Sequence, residues 1–298
     1  MIDQAEQLRR LVQQNQNQSQ PENAARVITV TSGTGGVGKS SMSVNLSLEF
    51  AKAGKRVIIL DADFGLANIE VMLGIRPEYS LADLMFGGKS LREVITSGPE
   101  NVGFISGGSG IHELSKLTRD QITNLTRRLT ELDELADVII VDTGAGITDS
   151  VMEFVIASSE VLLVVTPEPT SITDAYALLK TLNKNEAFSK EHTKISMIAN
   201  RVTEESDGKD LYNKLNVVVA KFLDFELGYL GAVPQDTMMS KAIIRQQPIL
   251  LSAPNSVAAK AIRNLSARLN GMPEPQQSGR KGIAQLFSNL IKARNKQK

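Results

Sequence analysis

Apolar runs rich in β-branched residues alternate with helical patterns along most of the chain. Such runs predict strands at Val27–Thr31, Val57–Leu60, Val102–Ile105, Val138–Val141, Val161–Val165, Ile195–Ala199 and near Tyr229–Val233. Helical spacing of apolar side chains predicts helices at 39–53, 118–134, 148–157, 171–187, 207–223 and 255–269. Strands this apolar are usually covered on both faces. The alternation therefore predicts an α/β fold with a doubly wound, mostly parallel sheet and helices on both faces.

Both ends of the chain differ in pattern from this body, which we place at 27–269. Residues 1–12 have helical spacing and predict a short amphipathic helix, and the Gln/Asn-rich residues 13–26 predict a flexible linker. Residues 270–281 predict a second linker. Residues 282–298 predict a basic amphipathic helix, whose apolar stripe consists of Ile283, Leu286, Phe287, Leu290 and Ile291.

Composition and charge exclude several classes of function. The formal net charge is zero, so nothing indicates a nucleic-acid-binding protein. The absence of cysteine excludes disulfides, Cys-ligated zinc and Cys-ligated iron–sulfur clusters. The sequence has neither a secretory signal pattern nor an apolar run as long as a membrane span. We therefore expect a cytoplasmic protein. The residues from Arg280 to Lys298 include six basic residues and no acidic ones, and we expect this tail to attract an anionic partner.

The segment after the first predicted strand has the G-x-x-x-x-G-K-[ST] pattern of a P-loop. It consists of Gly33, Thr34, Gly35, Gly36, Val37, Gly38, Lys39 and Ser40. The glycines let backbone N–H groups wrap around phosphates, and the next helix points the positive end of its dipole at them. We expect Lys39 to contact the β- and γ-phosphates and the Ser40 hydroxyl to bind Mg²⁺.

Acidic residues at the ends of two other predicted strands fit the same chemistry. The strand Val138–Val141 is followed by Asp142, which is typical of a Walker B strand whose aspartate supports Mg²⁺. A second strand ends at Leu60 and is followed by Asp61 and Asp63, which can orient water or contact the metal shell. An aspartate in this position often only caps a helix or loop, but the P-loop favours the metal role.

Several segments, taken in order, resemble the MinD/ParA family of P-loop ATPases. Thr31–Ser41 resembles the deviant Walker A motif of that family, Asp61–Asn68 its first switch and Asp142–Gly146 its second switch. Asn200–Arg201 and Val233–Asp236 resemble its adenine-contacting loops. The resemblance covers nearly the whole body, and it implies an ATPase that binds ATP or ADP with Mg²⁺ and holds two ATP molecules between two protomers.

The resemblance also implies a role for individual residues. Asp63, with Lys39, would be catalytic and would position the attacking water. Mg²⁺ contacts would come from Ser40, Asp142 and Asp63, and contacts to the rest of the nucleotide from Ser41, Asn200, Arg201, Pro234 and Asp236. Among these, Ser41 would contact the α-phosphate and Asn200 would read adenine.

The N-terminal segment narrows the resemblance within the family. Its D-Q-A-x-x-L-R pattern, carried by Asp3, Gln4, Leu8 and Arg9, resembles that of the FlhG (YlxH/FleN) regulators of flagellar number and placement. The resemblance implies that this segment stimulates the signal-recognition-type GTPase FlhF, with Gln4 as the key residue. Flagellar switch (C-ring) proteins are further implied partners.

The C-terminal basic helix resembles the membrane-targeting sequence of MinD and FlhG. Its apolar stripe would lie among acyl chains while its basic residues meet anionic lipid heads, which gives weak and reversible binding per helix. We therefore expect reversible association with the inner face of the cell membrane. The alternative is that the helix packs on the protein's own core or in a dimer groove.

Three other functions remain open from the sequence. The first is a division-site or chromosome-partition ATPase of the MinD or ParA type. The second is a metabolic or redox ATPase similar to nitrogenase reductase, which the absence of cysteine disfavours because it removes the cluster ligands. The third is a nucleotide-binding scaffold without useful catalysis, which Thr34 supports.

Thr34 occupies the position at which the family usually has a second, signature lysine. That lysine reaches across the dimer to the partner's phosphates, and threonine has neither the charge nor the length for this. We predict that the chain binds nucleotide through Lys39 but hydrolyses it slowly, and that Thr34→Lys accelerates steady-state ATP hydrolysis. Equal rates in the two proteins would contradict this prediction.

Overall fold

The computed structural model describes residues 24–63, 68–107, 128–223, 225–272, 282–283, 285–287 and 289–290. Several sequence predictions therefore lie outside the described residues. These are the helix at 1–12 with Asp3, Gln4, Leu8 and Arg9, most of the linkers at 13–26 and 270–281, and Ile291.

The described strands form one eight-stranded sheet in the order β3-β4-β2-β5-β1-β6-β7-β8. They are β1 Arg26–Thr31, β2 Val57–Ala62, β3 Thr96–Ser97, β4 Gly103–Ile105, β5 Val138–Thr143, β6 Glu160–Val165, β7 Lys194–Val202 and β8 Leu227–Pro234. Every neighbouring pair is parallel except β3 and β4, which are antiparallel. The predicted α/β fold with a mostly parallel sheet is confirmed.

Helices of the described residues connect these strands and continue after the last one. They are α1 Lys39–Lys52, α2 Asn68–Leu73, α3 Leu81–Met85, α4 Leu91–Val94, α5 Leu132–Leu135, α6 Asp149–Ala157, α7 Pro169–Lys184, α8 Glu205–Phe222, α9 Thr237–Ile244, α10 Ile249–Ser252 and α11 Val257–Gly271. A short 3₁₀ helix spans Pro99–Asn101. The predicted helix at 118–134 falls partly outside the described residues, and 128–130 and 132–135 are helical.

Side chains of the central strands alternate between apolar cores on opposite faces of the sheet. In β5, Val138 and Ile140 pack with α1 and α11, whereas Ile139 and Val141 pack with α3, α5 and α6. Further along the second face, α6, α7 and α8 cover β6 and β7. Burial on both faces explains why the strands read as continuous apolar runs in the sequence.

The C-terminal apolar stripe packs against the body in this structure. Residues 283, 285–287, 289 and 290 are helical, and Ile283, Leu286, Phe287 and Leu290 are buried in the core shared with α3, α5 and α6. The interpretation of these residues as a lipid-facing stripe therefore does not describe this state, because burial among apolar side chains satisfies the same pattern. Within the described residues, no helix is both long and apolar enough to span a membrane.

Specific contacts define the position of this docked segment. The backbone N–H of Ile283 donates to Asp133 Oδ1 at 3.0 Å, and Asn289 Nδ2 donates to the carbonyl of Ala157 at 3.1 Å. The Phe287 ring packs edge-to-face on Phe154, with 6.3 Å between centroids. Asp133 belongs to α5, whereas Phe154 and Ala157 belong to α6, so the segment spans these two helices.

The long edge strand, β8, has its backbone partly covered by flanking helices. Arg268 of α11 donates to the carbonyl of Leu230 at 3.1 Å, and the Tyr212 hydroxyl of α8 donates to the carbonyl of Leu227 at 2.8 Å. Gly231 adds a positive φ of 149° inside the strand, beside a register shift in the pairing with β7. These features break the regular row of hydrogen-bonding groups at this edge.

Candidate nucleotide-binding site

The P-loop connects β1 to α1 at the carboxyl edge of the sheet. Gly36 and Gly38 have φ values of 75° and 99°, which favour glycine. The Ser32 hydroxyl donates to the carbonyl of Thr34 at 2.6 Å and closes the start of the loop. The helix α1 begins at Lys39, so its N-terminal N–H groups point toward this loop, as anion binding requires.

Gly33 packs directly against the backbone of α7. A Cβ atom at this position would lie 2.2–2.4 Å from the backbone of Asp174 and Ala175. Only glycine fits here without displacing α7 or the loop. The first residue of the motif is therefore required by packing as well as by phosphate binding.

Asp142 is the most buried charged group of the site, with 0% of its surface exposed. The Ser40 hydroxyl donates to its Oδ2 at 2.6 Å, and the Ser43 hydroxyl donates to its Oδ1 at 2.7 Å. Burial raises the pKa of Asp142 to about 6, against the opposing effects of these two hydrogen bonds and of Lys39. The aspartate thus lies beside the P-loop serine, as the sequence predicted.

Lys39 is 7% exposed and lies near the same acidic groups. Burial lowers its pKa, while the charges of Asp142 and Asp63 act in the opposite direction. The neighbouring carboxylates offset only part of the cost of burying the positive charge of Lys39. An anionic ligand would stabilise that charge further. This is consistent with a phosphate-binding lysine.

The predicted first switch begins at the end of β2. Asp61 is 2% exposed, and its burial, together with the charges of Asp142 and Asp63, raises its pKa to about 8. A hydrogen bond that it accepts from the Asp63 N–H at 3.0 Å acts in the opposite direction. Asp63 is more accessible, and its Oδ2 accepts from Asn68 Nδ2 at 2.9 Å. Residues 64–67 of this segment lie outside the described residues.

The predicted second switch lies against the P-loop. The Gly146 N–H donates to the carbonyl of Ser32 at 3.0 Å, and Thr143 Oγ1 donates to the carbonyl of Val30 at 3.0 Å. A Cβ on Gly144 would lie 3.2 Å from Asp63 Oδ1, so the two switches approach each other here. Three of the predicted motifs therefore meet at one end of the sheet.

The oxygen donors of this site fit Mg²⁺. Among the described residues no group of three or more acidic or histidine side chains is placed to hold a metal ion. Mg²⁺, however, is usually bound by one or two protein oxygens together with nucleotide phosphates and water. The Ser40 hydroxyl beside Asp142 matches that arrangement, with Asp63 on the neighbouring strand end.

Asn200 contacts the P-loop rather than an open nucleotide surface. Its Nδ2 donates to the carbonyl of Val37 at 2.7 Å, and the residue is only 6% exposed. A Cβ on Gly38 would lie 2.5 Å from the same nitrogen. In this structure Asn200 therefore supports the P-loop, and its contact with adenine stays a prediction.

Two further predicted nucleotide contacts have structural roles in the described state. Both carboxylate oxygens of Asp236 are used at helix starts, where they accept from Met238 N at 2.8 Å and Ala258 N at 3.0 Å. Burial raises the pKa of Asp236. The backbone hydrogen bonds and a side-chain hydrogen bond from Ser256 lower it by more, so the pKa lies below its usual value. The Ser41 hydroxyl is buried and lies 4.0 Å from Met72 Sδ, and its contact with the α-phosphate stays a prediction.

Arg201 and Pro234 lie at the carboxyl ends of β7 and β8, and their contacts with nucleotide stay predictions. Arg201 is exposed and has a left-handed φ of 57°. The pKa of Glu168, which follows the neighbouring strand β6, is lowered mainly by hydrogen bonds from Thr166 and the backbone. The positive charge of Arg201 lowers it slightly further. Pro234 is half-buried and ends β8 opposite Val202.

The sequence interpretation missed one residue that touches the site. Ser43 lies three residues after Ser40, so both hydroxyls fall on one face of α1 and contact the same carboxylate. That spacing was the available signal. The P-loop pattern ends at Ser40 and therefore does not include Ser43.

Comparison with known proteins gives three kinds of match. A sequence model of the ParA family, described as a NUBPL iron-transfer P-loop NTPase, matches residues 23–270. The antiactivator FleN of Pseudomonas aeruginosa is 42% identical over 84% of this chain and 88% of its own length. The flagellum site-determining protein YlxH of Helicobacter pylori is 34% identical over 90% of both chains. Among solved structures, the MinC:MinD cell division complex of Aquifex aeolicus aligns with a TM-score of 0.65 and 25% identity, over 86% of this chain and 100% of its own.

The position of Asn200 leads to a prediction about nucleotide affinity. Asn200→Ala removes a buried hydrogen bond to the P-loop, and we expect binding of ADP and of inorganic triphosphate to weaken alike, by about fivefold, corresponding to roughly 1 kcal/mol. Titration calorimetry with both ligands measures this. If only ADP weakened while triphosphate bound as before, Asn200 would act on the base instead.

Proposed function

Because this chain belongs to the MinD/ParA family of P-loop ATPases, and within it to the group of the flagellar regulators FleN and YlxH, we propose that it is an ATP-switched regulator of flagellar number and placement. The observation that carries the proposal is the 42% identity to FleN along 84% of the chain, together with a P-loop site assembled at the sheet edge. The iron-transfer part of the family description does not extend to this chain as Cys-ligated cluster chemistry, because the sequence has no cysteine.

The nucleotide cycle follows from the site's own residues. The P-loop N–H groups and Lys39 hold the phosphates, and Ser40 and Asp142 provide the oxygen face for Mg²⁺, which neutralises phosphate charge when bound. Asp63 at the mouth of the site orients a water molecule. Thr34 replaces the signature lysine, so hydrolysis depends on these residues alone. We therefore expect turnover to be slow.

ATP-dependent pairing of two protomers is the second part of the proposal. The switch segments, the P-loop and the exposed Ile147 lie together at the carboxyl edge of the sheet. Ile147 is 50% exposed and directly follows the loop that touches Ser32. A face that carries both nucleotide and exposed apolar surface supports pairing across the nucleotide.

The third part is reversible binding to anionic membranes through the C-terminal helix. Its apolar side chains are buried on α5 and α6, so the same residues cannot contact lipid until the helix leaves the body. The helix α6 starts just after the second switch, and Phe154 and Ala157 on it hold the docked segment. A shift of α6 with nucleotide state would therefore change how firmly the helix is held.

The fourth part concerns residues 1–12. We assign to them the stimulation of FlhF GTP hydrolysis, on the basis of the D-Q-A-x-x-L-R pattern that contains Gln4. The assignment is consistent with the flagellar relatives. A division-site role of the MinD type is the second candidate, since a MinD structure aligns over 86% of the chain, but its identity of 25% is well below that to FleN.

The function is tested by FlhF GTPase assays. We expect the intact chain to accelerate GTP hydrolysis by FlhF, and expect the chain lacking residues 1–12 and the variant Gln4→Ala to lose this effect. Gln7→Ala is the matched control, since it removes the same side chain at a variable position of the pattern. Unchanged stimulation by the truncated chain would refute the role of this segment.

The docked helix leads to a prediction for membrane binding. Asp133→Ala removes the acceptor for the Ile283 N–H, and we expect cosedimentation with vesicles containing phosphatidylglycerol to rise at least about fivefold, because the docked helix loses this hydrogen bond. Asp137→Ala, nearby on the same segment but bonded to Arg56, is the control and should change little.

A second variant shows whether the released helix is what binds lipid. Adding Phe287→Glu to Asp133→Ala should abolish the gain, because a charge replaces an apolar side chain of the stripe. If Asp133→Ala bound vesicles no better than the unchanged protein, or if the double variant kept the gain, the membrane proposal would fail.

A further inference from the structure

Ser43 contacts the central aspartate of the site, although it lies outside the P-loop pattern. Its hydroxyl donates to Asp142 Oδ1 at 2.7 Å, and both residues are 0% exposed. The other oxygen of Asp142 accepts from Ser40 at 2.6 Å. The carboxylate is therefore held at both oxygens by two hydroxyls of one helix.

The two contacts have different consequences. Ser40 belongs to the P-loop, and its oxygen is the one expected to face Mg²⁺. The Ser40 hydroxyl donates its hydrogen bond to Asp142. The lone pairs of the Ser40 oxygen are therefore free to point at the metal. The direction of those lone pairs depends on where the Asp142 carboxylate lies.

Ser43 fixes that position from the opposite side. The carboxylate can rotate about its terminal bond, and such torsions are broad unless both oxygens are held. In a fully buried site without a second donor, the carboxylate would turn to find another partner. Ser43 thus fixes the Asp142 carboxylate, and the carboxylate in turn orients the Ser40 hydroxyl.

We propose that Ser43 is a positioning residue for Mg²⁺, which acts through Asp142 to orient the Ser40 hydroxyl. Groups that orient metal ligands typically change metal affinity by about 10- to 100-fold when removed. The proposal rests on the nucleotide role of the site but not on the flagellar role, so it holds for any partner the protein has.

Ser47 shows what a purely structural serine on this helix looks like. It lies one turn after Ser43 and is also 0% exposed, but its hydroxyl donates to the backbone carbonyl of Ser43 at 2.7 Å. It has the same residue type, helix and burial without a contact to the carboxylate. Ser47→Ala is therefore the matched control.

The experiment measures ADP affinity by titration calorimetry, with MgCl₂ and with EDTA, for the full chain and its variants. For Ser43→Ala we expect the gain in affinity that Mg²⁺ provides to fall about tenfold. Metal-free ADP binding should stay within about twofold, because backbone N–H groups and Lys39 still hold the phosphates. Ser47→Ala should retain the full gain.

Two further variants protect the test against misfolding. Ser43→Thr keeps a hydroxyl and should retain most of the Mg²⁺ gain, while Ser43→Cys offers only a weak donor and should give an intermediate loss. Thermal unfolding of each variant is measured alongside.

The proposal is overturned if Ser43→Ala and Ser43→Cys keep the full Mg²⁺ gain, or if Ser47→Ala loses it equally. A loss of ADP binding in EDTA as well would assign Ser43 to the P-loop as a whole and would also overturn it. Failure of the unchanged protein to bind ADP at all would instead contradict the nucleotide role of the site.

Discussion

A carboxylate buried in the middle of the sheet is the constraint around which this site is arranged. Asp142 lies on a central strand and is fully buried, so it must be paired or hydrogen-bonded to remain charged. Its donors come from the first two turns of α1, which ties that helix to β5 as well as to β1. The start of α1, which follows the P-loop, is thereby held against two strands of the sheet.

The sequence was sufficient for the parts of the fold that repeat a pattern over several residues. Strands buried on both faces and helices of nine or more residues were located because their periods are visible in such windows. The helices α2, α3, α4, α9 and α10 have four to eight residues and were missed, since one or two turns hardly show a period. The strands β2 and β5 run past Asp61 and Asp142, to Ala62 and Thr143, where polar residues hide the strand ends.

The site was predictable where the chemistry lies in the motif itself, and not where it depends on packing. Lys39, Ser40 and Asp142 meet as expected. Asp236 and Asn200 illustrate the limit, because a polar residue after a strand can serve a ligand, a helix start or a loop carbonyl. Only the structure shows that Asp236 caps two helix starts and that Asn200 holds Val37. Likewise, an amphipathic stripe cannot by itself distinguish a protein groove from a lipid surface, since apolar burial is not directional.

The covered edge of β8 has a consequence for crowded conditions. A protein concentrated on a two-dimensional surface meets copies of itself far more often than in free solution, and an open strand edge would then invite unwanted β-sheet pairing. Here the Leu227 and Leu230 carbonyls are already occupied by Tyr212 and Arg268. Self-assembly through backbone pairing at this edge is thereby discouraged.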